Sequence, residues 1–368
     1  MGFKCGIVGL PNVGKSTIFN ALTSAGAEAA NFPFCTKEPN VGMVGIPDER
    51  LKELAKVYKP KKGILPAVMQ FVDIAGLVKG ASTGEGLGNQ FLSHIRETDA
   101  IMHVVRCFED IDITHVDGSI DPVRDADVVN TELALRDMDT VDKKLLKDKK
   151  LSGLATKEGK EAKARVEILE KLKAALDQGN PARSAGLTEE EAFSVKDLGL
   201  LTLKPQFYCA NVREDEIHTG NDHVKAMVAY AQTQNSDVLV FSGKIESEIA
   251  ELNDEEKASF LEEMGLKESG LSMVIRKGFS MLGLQTYFTA GEQEVRAWTI
   301  HNGWTAPQAA GVIHTDFERG FISAETLAYA DFVKFGTWQS AKEKGLVRKE
   351  GKEYIVKDGD IMHFLFNV

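Results

Sequence analysis

The sequence predicts an α/β protein: a largely parallel sheet at the N-terminal end, a helical hairpin let into it, and a small β-rich module at the C-terminal end. Three observations carry this. A short apolar run, Phe3–Val8, leads straight into Gly9-Leu-Pro-Asn-Val-Gly14-Lys15-Ser16-Thr17, the spacing GxxxxGK[ST] between a strand and a helix. Residues 128–200 replace strand and helix alternation with apolar residues at helical spacing. Residues 285–368 turn to short runs of strand formers.

With 368 residues the chain has room for two or three domains. Its 43% hydrophobic and 27% charged residues can bury a core, which excludes gross disorder. A net charge of −11 argues against a surface coated with positive charge for bulk DNA binding, though a local basic patch remains compatible. Cys5, Cys35, Cys107 and Cys209 form no CxxC pair, so neither a disulfide framework nor a zinc site is expected, and a reducing compartment is. The start MGFKCGIVGL lacks the charged and apolar regions of a secretion signal, and no stretch approaches the roughly 18 apolar residues of a membrane span. The expectation is a cytoplasmic protein that does not engage a membrane.

The first motif binds phosphate. Gly9 and Gly14 let the loop curl so that backbone N–H groups face phosphate oxygens, and the following helix adds its positive end. Asn12, Val13, Gly14, Lys15, Ser16 and Thr17 are therefore candidate nucleotide contacts. Lys15 reaches the β and γ phosphates as a catalytic charge, and the Ser16 hydroxyl is a Mg²⁺ ligand. The apolar run ending in Asp73-x-x-Gly76 supplies the other side: Asp73 for Mg²⁺, the Gly76 N–H for a γ-phosphate oxygen. Thr36, in the loop Asn31–Asn40, is the third candidate metal ligand.

The order of P-loop, Thr and DxxG is that of the Ras-like GTPase superfamily, whose members read guanine with Asn-Lys-x-Asp. Here the strand Gln206–Ala210 is followed by Asn211-Val212-Arg213-Glu214. The guanine-reading Asp accepts from N1–H and the 2-amino group, and a glutamate one methylene longer misplaces that carboxylate. A lost acceptor costs guanine preference, so the motif points from GTP toward ATP. Ser242-Gly243-Lys244, after the strand Val238–Phe241, is the expected base-side loop, with Ser242 and Gly243 as contacts.

GLPNVGKST, NFPFCT, DIAGLVKGAS, GEGLGNQFLSHIRETDA, the degenerate NVRE and the closing EYIVKDGDIMHFLFNV together resemble the YchF/Obg-like ATPase subfamily of the TRAFAC GTPases, over essentially the whole chain. The resemblance implies a Ras-like P-loop NTPase domain in two pieces, 1–127 and 201–284. It adds an α-helical hairpin (coiled-coil) insertion at 128–200 and a C-terminal β-grasp TGS domain at 285–368. It implies hydrolysis of ATP, with GTP weaker, and a ribosome partner at a large-subunit or intersubunit surface. Asn211 and Val212 fall on the base-contacting positions, with Glu214 beside them.

Leu77 stands where Ras-type enzymes carry the Gln that orients the attacking water. His94 and His115 are substitutes by residue type, and the resemblance selects His115 as catalytic. Asn12 resembles the P-loop Asn of related GTPases that bind K⁺ beside the phosphates. In the hairpin, Leu133, Leu135, Met138, Val141 and Leu145 recur at helical spacing, as do Val166, Leu169, Leu172 and Leu176, with breaks expected at Ser152-Gly153 and Gly159. Residues 142–173 hold eleven basic and six acidic side chains, a local excess that suits an RNA contact as well as a solvated face. Two other functions fit the same residues: a GTPase of the same fold, or a nucleotide-dependent RNA- or ribosome-binding module with little turnover.

Overall fold

Two sheets organise the chain, and the computed structural model describes residues 3–25, 40–74, 87–110, 115 and 118–367. In chain order the first strands are β1 (Lys4–Val8), β2 (Val41–Gly45), β3 (Ile64–Leu65), β4 (Val68–Asp73), β5 (Ala100–Arg106), β6 (Gln206–Asn211) and β7 (Val238–Phe241). Then come β8 (Leu284–Ala290), β9 (Val295–His301), β10 (Phe321–Ala328), β11 (Arg348–Glu350) and β12 (Asp360–Phe366). The helices are α1 (Lys15–Ala25), α2 (Glu49–Tyr58), α3 (Leu87–Arg96), α4 (Pro122–Leu151), α5 (Lys157–Asp177), α6 (Glu189–Ser194) and α7 (Asp222–Thr233). They continue as α8 (Gly243–Glu251), α9 (Asp254–Glu263), α10 (Gly270–Met281), α11 (Ala306–Ile313), α12 (Thr315–Arg319), α13 (Tyr329–Phe335) and α14 (Trp338–Glu343).

The first sheet has the order β2-β4-β1-β5-β6-β7, with β4, β1, β5, β6 and β7 parallel. Every residue of β5 and β6 is buried, as parallel strands covered on both faces require. Their carboxyl ends share one edge, where a doubly wound sheet presents groups to ligand. The P-loop leaves β1 at that edge, and Asp73 ends β4 there, in register with Ile7 of β1.

The helical hairpin is α4 and α5. Helix α4 begins at Pro122, earlier than the expected 128, because Asp121 caps it by accepting from the Arg124 N–H at 3.0 Å. Of the expected stripe, Leu133, Val141 and Leu145 are buried with Leu169, Leu172 and Leu176, while Leu135 is exposed. Gly159 is not a break. It lies in the first turn of α5, donates to the Thr156 hydroxyl at 3.1 Å, and packs so closely on the Leu154 carbonyl that no Cβ would fit. Asp137 fastens the returning chain, accepting from the N–H groups of Leu201 and Thr202, each at 2.7 Å, and from the Thr202 hydroxyl at 2.6 Å.

The second sheet is mixed, in the order β11-β10-β12-β8-β9-β3. Helix α11 covers part of one face through Ala306, Ala309 and Ala310, packed with Tyr287, Ile300 and Met362. The chain divides into two units, one holding 3–43 and 70–273, the other 44–69 and 274–368. Residues 44–69 therefore leave the expected 1–127 piece. The reason is tertiary: β3 pairs with β9, and Arg50 at the start of α2 meets Asp358 at 2.7 Å. A single-sequence reading of 1–127 has no access to partners more than 200 residues away. Among the described residues no helix is long and apolar enough to cross a membrane.

His103, 1% exposed in the middle of β5, is pushed down to about 3 by burial, with the nearby Arg183 charge adding to the effect. Its unfolded value is near 6.5, so from there down to about 3 the unfolded chain binds a proton that the folded one refuses. This group therefore makes stability rise with pH through that window. Between about pH 5 and pH 7 its share is about 2 kcal/mol. Urea midpoints for wild type and His103→Gln at both pH values test this. The wild type should lose more stability on acidification, and parallel losses would contradict the assignment.

Candidate functional site

The site is built on loops that leave the carboxyl ends of β1, β5, β6 and β7, with Asp73 at the end of β4 beside them. Gly14 has φ of +96°, and a Cβ there would strike the Asn211 amide. Glycine is thus required both by backbone conformation and by the close approach of β6. The Gly14 carbonyl accepts from the Ile18 N–H at 3.1 Å, which starts α1 directly behind the loop. Asn12, exposed, takes a left-handed φ of 62° at the loop crest.

Lys15 is buried, and its Nζ lies 2.5 Å from Asp73 Oδ1. The lysine expected at the phosphates and the carboxylate expected on the metal are thus already adjacent. The donor set suits Mg²⁺: one carboxylate and the exposed Ser16 hydroxyl, both hard oxygen donors, leaving coordination places for phosphate oxygens and water. Among the described residues no group of three His, Cys, Asp or Glu could hold a metal alone.

Asn211 is 5% exposed. Its Nδ2 donates to the Val13 carbonyl at 3.0 Å, and its Oδ1 accepts from the Gly243 N–H at 2.9 Å. One side chain thereby ties the P-loop to the β7–α8 loop. Glu214 Oε1 meets Lys244 Nζ at 2.5 Å. Val212 is 3% exposed and packs among Val105, Cys107, Ala126, Val224 and Met227. Its side chain belongs to the core, so a lysine there would bury an unpaired ammonium instead of packing on a base.

These loops enclose a cavity of about 1780 Å³, lined by Asn12, Gly14 to Thr17, Phe108 to Asp110, Asn211 to Asp215 and Ser242 to Lys244, and extended along α8 and α9 by Ser247, Glu248, Glu251 and Met264. The wall from Phe108 to Asp110 escaped the sequence reading. It is held by Arg106, 1% exposed, whose Nε donates to the Phe108 carbonyl and Nη2 to the Asp110 carbonyl, each at 3.1 Å. The guanidinium also stacks over the Phe108 ring at 4.7 Å. An arginine closing a strand that is apolar apart from His103 is the available signal.

A family model described as "50S ribosome-binding GTPase" matches residues 4–141. A second, for the YchF GTPase C-terminal domain, described as a protein of unknown function (DUF933), matches residues 284–367. The chain is 57% identical to the Ribosome-binding ATPase YchF of Bacillus subtilis over the full length of both. The chain belongs to the YchF family. The YchF proteins of Haemophilus influenzae and Escherichia coli O157:H7, named alike, are 57% and 56% identical, again over both full lengths. A solved structure of the Schizosaccharomyces pombe YchF GTPase superposes with a TM-score of 0.89 at 39% identity, covering 99% of this chain and 98% of that one.

Some candidate residues are not among those that line the cavity. Thr36, Gly76 and Leu77 lie outside the described residues. His94 is half-buried in α3 and does not line the cavity. His115 does not line it either: it is 7% exposed, and its Nε2 sits 2.7 Å from Asp125 Oδ2 in the first turn of α4. Asp125, 2% exposed, also receives Arg124 at 3.0 Å. A buried carboxylate draws in a partner, and here that partner is the imidazole. His115→Ala should lower stability by about 1–3 kcal/mol, because the buried Asp125 carboxylate loses the imidazole and keeps Arg124. Thermal melts and nucleotide titrations check this together. Unchanged stability with reduced nucleotide affinity would place the ring at the nucleotide instead.

Proposed function

We propose that this protein is a Mg²⁺-dependent ATPase that couples its nucleotide state to ribosome binding in the cytosol. The observation that carries the reading is the Lys15–Asp73 pair, set on the P-loop cavity that Asn211 closes. The names of the relatives supply ATP and the ribosome. Water attacks the γ-phosphate in line. Lys15 turns from Asp73 to the phosphates, and the P-loop N–H groups stabilise the developing charge. Ser16 and Asp73 with Thr36 would hold Mg²⁺, which would supply positive charge against the triphosphate. Asn12 is the proposed neighbour of K⁺, and the Gly76 N–H the proposed γ-phosphate donor.

ATP over GTP is supported by the two base-side departures. Glu214 shares its carboxylate with Lys244, and Val212 is committed to the core. Low intrinsic turnover is supported by Leu77 in place of Gln and by His115 facing Asp125. Ribosomes should therefore raise phosphate release well above the basal rate, and more in K⁺ than in Na⁺ at matched ionic strength. Lys15→Ala should abolish both rates. Steady-state phosphate release with and without ribosomes decides among the readings: no stimulation and no basal turnover would leave a nucleotide-dependent binding module.

The arm proposed to touch RNA is the 128–200 hairpin; the 285–368 TGS module is the proposed second interaction surface. Many hairpin bases are paired, for example Lys143 with Asp139, Lys149 with Glu170 and Lys173 with Asp142. Lys147 and Lys150, near the end of α4, and Lys160 and Lys163, near the start of α5, are exposed and form no ion pair among the described residues. Replacing these four with glutamate should weaken ribosome binding and flatten its salt dependence by about one unit of slope for each phosphate no longer neutralised. Basal hydrolysis should not change. Sedimentation binding that is indifferent to the substitutions at low salt would remove the hairpin from the contact.

A further inference from the structure

Arg183 stands in the short turn Ala182–Ser184, past the hairpin and before β6. It is half-buried, and among the described residues it forms no ion pair. Its Nη1 donates to the Thr202 carbonyl at 3.3 Å and approaches Gln206 Oε1 at 3.5 Å, both neutral acceptors. Its Nε is buried without a hydrogen-bond partner. Sheltered arginines elsewhere in the chain are compensated: Arg50 by Asp48 and Asp358, Arg165 by Asp148, Arg106 by two carbonyls and the Phe108 ring. A guanidinium keeps its charge at any ordinary pH, so shelter without a counter-charge is unfavourable and calls for a reason. A part in binding an anion is such a reason.

The groups around it are polar and mostly neutral. Gln206 Nε2 donates to Asn130 Oδ1 at 3.2 Å, and Asn130 Nδ2 donates to the Tyr208 and Tyr230 hydroxyls at 2.8 and 3.0 Å. Asp127, the carboxylate joined to this group, accepts from the Tyr230 hydroxyl at 3.2 Å and forms no ion pair with Arg183. Burial works against the Arg183 charge and lowers its pKa, and the groups that oppose this are the phenols of Tyr208 and Tyr230. Thr202, Gln206 and Tyr208 are buried, whereas Asn130, Tyr230 and Arg183 are half-buried, so this side is open to solvent. Gln206 opens β6 while Asn211 ends it, and none of these residues lines the nucleotide cavity. We propose that Arg183 is the centre of a separate anion site that takes one phosphate group, on the guanidinium edge that Thr202 and Gln206 leave unused. That edge carries Nε and Nη2 side by side, a fork that two oxygens of one phosphate match. The remaining oxygens stay in water on the half-buried side, so a single cation suffices. Inorganic phosphate and a phosphodiester share this chemistry.

Isothermal titration of the full chain with inorganic phosphate tests it, in a Lys15→Ala background that weakens phosphate binding at the P-loop. Adding Arg183→Gln should weaken the titrated affinity about tenfold or more, the size of a charge-assisted hydrogen bond. Arg183→Lys, which keeps the charge and loses the fork, should fall between the two. Because the guanidinium lacks a counter-charge without ligand, the Gln chain should melt at or above its parent in phosphate-free buffer. Phosphate should then raise the melting temperature of the parent more than that of the Gln chain. The imidazole resonances of His103, which feels the Arg183 charge, should move with phosphate in the parent and stay fixed in the Gln chain. Competition by dimethyl phosphate would assign the site to a phosphodiester, and competition by phosphate alone to the free ion. Phosphate binding that Arg183→Gln leaves unchanged overturns the inference, as does a parent that binds no phosphate. Acetate that competes as well as phosphate would overturn the choice of ligand. A Gln chain that melts lower yet responds to phosphate as its parent does would make Arg183 structural.

Discussion

One buried amide holds the nucleotide edge of this molecule together. Asn211 leaves the end of β6, takes the Val13 carbonyl of the P-loop on one side and the Gly243 N–H of the β7–α8 loop on the other. Three loops that enter from separate strands thus share one largely buried polar centre. The constraint propagates outward. Gly14 must lack a side chain because Asn211 presses on it, and Ser242 is buried beside the loop that Asn211 fixes. Breaking such a centre strands two backbone groups without partners, so it costs more than one ordinary hydrogen bond.

On the phosphate side the same economy holds through charge. Lys15 and Asp73 neutralise each other while partly buried. On the proposed reading, a triphosphate with its metal ion would replace that pair with two new ones, phosphate for the lysine and cation for the carboxylate. The exchange leaves neither charge stranded, which a one-sided ligand could not achieve.

The parts of this arrangement that are legible in the sequence are those fixed by local backbone requirements. The P-loop is a stretch of contiguous chain, and Asp73 and Asn211 each close an apolar strand, so their place at one sheet edge follows from strand direction. What depends on distant pairing is not legible. Nothing in NVRE reveals that Lys244, thirty residues on, takes the Glu214 carboxylate. Nothing near His115 indicates that Asp125 will be buried against it, since burial is decided by how α4 packs. Residues 44–69 read locally as part of the first domain, and join the second unit through β3 pairing and the Arg50–Asp358 contact. Gly159 reads as a helix break because glycine usually is one, but its lack of a Cβ is used for a close approach to Leu154.

Base choice is where these threads meet, because the carboxylate at the guanine-reading position is a glutamate with a lysine already beside it. The most direct measurement is competition of unlabelled ATP and GTP against a fluorescent ATP analogue on the wild-type chain. ATP is predicted to compete at least as well as GTP, since position 214 carries the longer glutamate, paired with Lys244, and no lysine packs at position 212. A strong preference for GTP would mean that Glu214 leaves Lys244 to read guanine, and would contradict the account in favour of a GTPase.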